Sequence, residues 1–187
     1  TQDNGSAQAR VTLFIDGGIN VQLPIITLPE DVIVNATGLF TKVDLGVATA
    51  VDNTGQRLPV SLVDGTPLFR PGNNVAYWQA EDSQGLKSVA SQSVVLNPLI
   101  TMSRDKTSVE GTSHDVFIYL NGTSPIYPVT IGYSVSGSAD ANDHNLISGD
   151  IVIDSGEVGR ISFDVLADDM AEESETLTIT LDDTLNL

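Results

Sequence analysis

Cysteine is absent from these 187 residues, which excludes disulfide staples and thiol chemistry together. Lysine and arginine number only 8 against 25 aspartates and glutamates, for a net charge of −17. Such a chain offers no basic patch to neutralise phosphates, so nucleic acid is not an expected partner. Anionic membrane surfaces are disfavoured for the same reason. Aromatic residues make up 5% of the chain, with a single Trp, so its cores must be built from Val, Ile and Leu. No apolar run reaches membrane-spanning length, no signal-peptide pattern occurs, and no window of a dozen residues carries helical spacing.

What is present suits β structure: 41% hydrophobic residues, Thr and Ser throughout, and 16 Gly. Ala9–Asp16, Asp31–Ala36, Phe40–Leu45, Val60–Asp64, Val75–Ala80 and Lys87–Leu96 read as strands. Leu23–Pro29, with its prolines, suits an edge strand or linker. Ala48–Gly55 leads into a turn, and turns are expected at Arg70-Pro71-Gly72-Asn73-Asn74 and at Asp82–Gly85. A second set of strands is expected at Ile100–Arg104, His114–Leu120, Val129–Val135, Ile151–Ile153, Gly159–Leu166 and Thr176–Leu181. The expected fold is all-β, two immunoglobulin-like β-sandwiches in tandem. Asn97-Pro98-Leu99 is the expected boundary, giving domains over 23–97 and 98–187 behind a leading segment 1–22.

Charge changes at that boundary. Residues 1–97 carry 9 acids and 5 bases, net −4, whereas residues 98–187 carry 16 acids and 3 bases, net −13. The densest stretch is Asp168-Asp169-Met170-Ala171-Glu172-Glu173-Ser174-Glu175, lying between two alternating runs. Like charges packed into one connection repel unless neutralised, and a hard cation bound by oxygens, calcium before magnesium, answers that need. A solvated acidic turn that only aids solubility is the plainer alternative.

Residues 24–97 resemble the HYR domain, an immunoglobulin-like module of extracellular proteins. The resemblance rests on Pro29-Glu30-Asp31-Val32-Ile33-Val34, Ala48-Thr49-Ala50-Val51-Asp52, Arg70-Pro71-Gly72, and Val75 through Gly85. It implies a spacer or adhesion unit without catalytic residues. Trp78 is expected in the core, with a sugar-stacking platform as the sharper alternative.

Residues 99–187 resemble the Calx-β domain, the calcium-binding sandwich of sodium–calcium exchangers and many bacterial surface proteins. The match runs through Thr107-Ser108-Val109-Glu110-Gly111, Tyr133 to Ala139, Asn142-Asp143-His144, Ser148 to Glu157, the acidic run, and Glu175-Thr176-Leu177. The resemblance implies calcium at one end of the sandwich, held by Glu110, Asp143, Asp168, Asp169, Glu172 and Glu175. Ala167 stands where the family carries a further acid, and His144 where it carries an aromatic; both departures favour one ion over several. An extracellular or cell-surface setting of bacterial type follows from the two resemblances.

Such a domain closes with a final strand, and none follows Thr176–Leu181 in this sequence. Residues 5–16 have the pattern of such a strand. They read as the closing strand of a preceding domain, or a linker, in an excerpt from a longer array. Alternatively they complete the open sandwich of the next molecule by head-to-tail strand exchange, with Asp16 as a candidate in-trans metal ligand.

The chain is not expected to be an enzyme. No Gly-x-Ser-x-Gly elbow, His-Glu-x-x-His helix or phosphate-cradling Gly loop is present. His114 reads as a surface residue and His144 as a lone loop imidazole. Glu172 and Glu175 lack the aromatic-lined cleft of a glycosidase pair. The expected function is a calcium-stiffened spacer or adhesion segment whose partners are neighbouring modules. The alternatives are a carbohydrate- or receptor-binding module, for which Tyr127 is the tempting aromatic, and a regulatory ectodomain of a larger enzyme. Asn35-Ala36-Thr37 and Asn121-Gly122-Thr123 match the glycosylation sequon.

Overall fold

Most runs of alternating apolar and polar residues in the described part of the chain become strands. A computed structural model describes residues 22–167 and 173–182, and every regular element among them is a strand. The first half contains β1 (Ile25–Thr27), β2 (Val32–Asn35), β3 (Thr41–Lys42), β4 (Thr49–Val51) and β5 (Arg57–Leu58). It continues with β6 (Val60–Leu62), β7 (Leu68–Phe69), β8 (Gly72–Glu81) and β9 (Lys87–Asn97). The order β2-β9-β8-β6 makes a four-stranded sheet, flanked by β1-β4-β5 and the pair β3-β7. β2 runs parallel to β9; the other pairings are antiparallel.

The long β8-β9 hairpin organises this half. Ala76, Trp78 and Ala80 alternate inward from β8, facing a core that holds Val94 and Leu96 from β9 and Val43 and Leu45 from a loop. One buried polar group crosses that core. Trp78 Nε1 donates to Gln92 Oε1 at 2.9 Å, and Gln92 Nε2 donates to Glu30 O at 2.6 Å and Leu45 O at 3.1 Å. Gln92 is fully buried with both ends of its amide engaged, as a buried amide must be.

Two tight turns in this half repeat one solution. Asp52-Asn53-Thr54-Gly55-Gln56 and Asp82-Ser83-Gln84-Gly85-Leu86 each close with the same two backbone bonds: the Gly N donates to the Asp O, and the Asp N donates to the O of the residue after the Gly. In both, the Asp Oδ1 accepts from the amides two and four residues on. Gly55 and Gly85 take φ of 84° and 80°, the left-handed region a side chain disfavours.

The second half contains β10 (Ile100–Met102), β11 (Thr112–Leu120), β12 (Val129–Gly137), β13 (Gly149–Ile153), β14 (Val158–Val165) and β15 (Leu177–Leu181). They form two three-stranded sheets, β10-β11-β14 and β13-β12-β15. Ile100, Ile118, Leu120, Val129, Ile131, Ile151, Ile153 and Ile161 fill the space between them. The chain is therefore all-β and sandwich-like, with one core on either side of Pro98.

Contacts across Pro98 are direct. Pro98 is itself fully buried. Asn121 donates to Gly38 O, and Asn73 Nδ2 donates to Pro125 O at 3.3 Å. Gly122 lies against Pro71, and Gly72 against Thr123.

Several elements differ from expectation. Gly72, Asn73 and Asn74, expected in a turn, open β8 and pair with Leu96, Val95 and Val94. Asn74 still serves the preceding turn, because its Nδ2 donates to Arg70 O and Gly72 O while its backbone joins the sheet. The expected strand Phe40–Leu45 shrinks to Thr41–Lys42, since Val43 and Leu45 reach the core from an irregular segment. Strands β5 and β7 have two residues each, too few to leave a period in the sequence. The expected strand Ala9–Asp16 lies outside the described residues.

Candidate metal site

Three connections meet at the Thr112 end of β11, opposite the Leu120 end that adjoins Pro98. They are the turn carrying Glu110, the loop carrying Asp143, and the segment after β14. Eight residue steps of strand, roughly 27 Å, separate Thr112 from Leu120. Main-chain bonds hold the three together: Gly111 N donates to Val165 O at 3.0 Å, and Leu166 N donates to Asp143 O at 2.8 Å. His144 bridges Val165 from the same loop. A Cβ placed on Gly111 would sit 3.6 Å from Ala167 Cβ, so the Glu110 turn lies beside the start of the acidic run.

Side chains at this end are partly committed to the loops themselves. Asp143 Oδ2 accepts from the amide of Asp140, and Asp140 Oδ1 accepts from Asn142 N at 2.7 Å. These bonds fix the loop that presents Asp143 and leave its half-exposed carboxylate at the rim. Glu110 is exposed. Glu175 is exposed and precedes Thr176, whose N donates to Ser138 Oγ at 2.9 Å and whose O accepts from Ser138 N at 2.9 Å. Those bonds hang residues 173–176 on the same loop that carries Asp143.

Asp168, Asp169 and Glu172 lie outside the described residues, as does Asp16. Among the described residues no three Asp, Glu or His side chains converge as a metal-binding group. The donors present, carboxylates and main-chain carbonyls, are oxygens of the kind a hard cation takes.

Both imidazoles turn inward at this end. His144 is 8% exposed, and among the described residues its Nδ1 has no hydrogen-bond partner. His114, expected on the surface, shares the inward parity of Val116, Ile118 and Leu120 on β11. Its ring packs against Phe163 at 5.8 Å, and its Nε2 meets Thr112 Oγ1 at 2.9 Å and Ser108 Oγ. That parity was present in the sequence; the strand begins two residues before the expected start, so His114 lies within the half-buried alternation.

The opposite face of the same sheet is a polar ladder. Ser113 Oγ and Asn145 Nδ2 donate to Asp164 at 2.6 and 2.9 Å, while Ser162 Oγ donates to Asp115 at 2.6 Å. A shallow hollow of about 310 Å³ lies over these residues. A larger one, about 520 Å³, is bordered by Lys42, Asp44, Leu62, Pro67 and Trp78. Trp78 is a core residue there, with its N–H spent on Gln92. Tyr127 is likewise engaged: its ring packs on the core, its hydroxyl donates to Gly156 O, and Ser124 N donates to it. An aromatic so held is not a free stacking platform.

Comparison of the chain with protein-family models, with curated proteins and with solved structures finds no match. Its reading therefore rests on the residues and their geometry.

Proposed function

We propose that the chain is a non-catalytic extracellular module pair, two immunoglobulin-like sandwiches in tandem, that acts as a calcium-stiffened spacer or adhesion segment of a larger surface protein. The observation that carries the reading is the main-chain tie at one end of the second half. Gly111 to Val165 and Leu166 to Asp143 bring Glu110, Asp143 and the opening of the acidic run to one place. Residues 98–187 hold net −13 of the charge, and carboxylates so placed repel one another in the absence of a cation. Calcium would supply the opposing charge and draw Glu110, Asp143 and the acids of residues 168–175 into one coordination sphere. Because this end lies opposite Pro98, the loops it would order face away from the first half. In an array they would set the angle to the next module, while Pro98 and Asn121 hold the preceding one.

Thermal melting with and without millimolar calcium tests the reading. At 100 times its Kd, one ion adds about 2.7 kcal/mol. For a chain of this size that corresponds to a rise of roughly 5–10 °C in melting temperature. The rise should shrink strongly in Glu110→Gln/Asp143→Asn. An unmoved wild-type midpoint would sink the proposal.

A further inference from the structure

The hollow of about 520 Å³ in the first half is bordered by residues 42–46, Leu62, Pro67 and Trp78. Val43 N donates to Pro67 O at 2.9 Å. Among the described residues no further backbone bond joins residues 44–46 to residues 62–67, and the hollow lies where the two runs part.

One buried amide fixes its shape. Gln92 Oε1 accepts from Trp78 Nε1 at 2.9 Å, and Gln92 Nε2 donates to Leu45 O at 3.1 Å. Gly46 takes a φ of 75°, and a Cβ there would lie 3.0 Å from Pro29 Cβ. Its amide donates to Asp44 Oδ1 at 3.0 Å. The Trp78 base and the wall formed by residues 44–46 are therefore pinned before any ligand arrives. Binding against an ordered wall costs little further ordering.

The lining divides into an apolar base and a charged rim. Leu62 and Pro67 are half-buried, and Trp78 is 8% exposed. Burial alternates from Thr41 to Leu45, with Val43 and Leu45 inward and Lys42 and Asp44 exposed. That alternation sets Lys42 and Asp44 on one side of the chain, about 7 Å apart. The ion pairs among the described residues are Lys87 with Glu81 and Arg160 with Asp115, so neither Lys42 nor Asp44 is in one. A ligand with a single charge of either sign meets one repelling neighbour at this rim. A zwitterion meets a partner for each of its charges.

We infer that this hollow binds an apolar α-amino acid. The ligand's carboxylate faces Lys42, its ammonium faces Asp44, and its side chain covers Leu62, Pro67 and the exposed part of Trp78. A concave, mostly apolar site with a few placed polar groups is the usual form of a small-molecule site. Each charge at an exposed rim contributes modestly, so recognition needs both charges and the apolar body together.

Trp78 is the single Trp of the chain, so its emission reads the hollow directly. Titration with leucine tests the inference, with glycine, N-acetylleucine and leucine methyl ester as controls. Leucine should shift the emission saturably with a roughly millimolar Kd. Glycine should leave it unmoved, and each singly charged derivative should bind about threefold or more weakly. Lys42→Gln and Asp44→Asn should each weaken leucine by a similar factor; the Asn keeps an acceptor for Gly46 N, so the wall stays in place. Amide shifts on leucine addition should centre on residues 42–46. The inference is overturned by no saturable response to leucine, by equal binding of leucine and N-acetylleucine, or by full affinity in both variants. Amide shifts confined to other segments would overturn it too. The hollow lies in the first half and no measurement uses calcium, so failure here leaves the metal reading standing, and the reverse.

Discussion

Asn121 donates from Nδ2 to the carbonyl oxygen of Gly38, 83 residues earlier, at 2.8 Å. Its Oδ1 accepts from Leu99 N at 2.7 Å, and its own N donates to Leu99 O at 3.0 Å. One side chain thus holds backbone from both sides of Pro98. The sequon at Asn121-Gly122-Thr123 is accordingly a structural asparagine rather than a free acceptor for a glycan.

Replacing Asn121 by Ala strands a part-buried donor at Leu99 and a part-buried acceptor at Gly38. The expected loss is about 1–3 kcal/mol, read from urea unfolding. Asn121→Asp keeps the acceptor for Leu99 N but sets a carboxylate oxygen against Gly38 O, where the amide had donated. It should also be destabilising, and should speed amide exchange around Gly38. If both variants unfold at the wild-type midpoint, water substitutes for the side chain and Asn121 does not join the halves.

Gln92→Leu is nearly isosteric but leaves Trp78 Nε1, Glu30 O and Leu45 O without their partner in a buried setting. Each orphaned group costs about 1–3 kcal/mol, so the variant should lose at least ~2 kcal/mol. Trp78 fluorescence reports the unfolding transition directly. Adding Trp78→Phe to Gln92→Leu removes the orphaned indole donor and should recover part of the loss, a coupling that a double-mutant cycle measures.

Gly137 ends β12 with a φ of 143°, and a Cβ there would overlap the Thr176 carbonyl oxygen. Thr176 cannot move aside cheaply, because its O accepts from both Ser138 N and Ala139 N. Gly137→Ala should therefore loosen the Gly137–Leu177 end of the β12-β15 pairing, with a loss of ~2 kcal/mol or more. Exchange at Leu177 and Thr178 should rise more than at Thr180. A uniform effect along β15 would place the strain elsewhere.

Asp52 titrates below the ordinary carboxylate range, chiefly through the hydrogen bond from the Thr54 hydroxyl and then the amide of Gln56. A depressed folded value stabilises the fold above the unfolded carboxylate value, and that contribution is lost as pH falls through the folded one. Thr54→Ala should move the Asp52 midpoint upward in an NMR titration while the Gln56 amide bond keeps part of the depression. Equal midpoints in the two proteins would show that Thr54 is not the main cause.

Much of the fold was legible in the residues. The β8-β9 hairpin, β2 and the core strands of the second half lie within a few residues of where alternation put them. The errors have local causes. Asn73 and Asn74 carry turn chemistry in their side chains while their backbones pair in a sheet, and composition cannot separate the two. His114 was misplaced because a polar residue near a strand start looks exposed until the parity of Val116 and Ile118 is followed back to it. Of the metal residues named from the sequence, Glu110, Asp143 and Glu175 fall within the described residues. The geometry there consists of loops brought together by backbone bonds rather than an assembled set of carboxylates.

By itself the sequence determined the class of fold, the exclusion of disulfides, and the lopsided charge, because period, composition and net charge are sums over local choices. Tertiary structure alone decided two further points: that Asn121 ties Gly38 to Leu99, and that Gln92 closes the Trp78 core. Each is a pairing between residues far apart in the chain. A one-dimensional pattern states which faces want burial, and only closure of the chain in space states which partners they find.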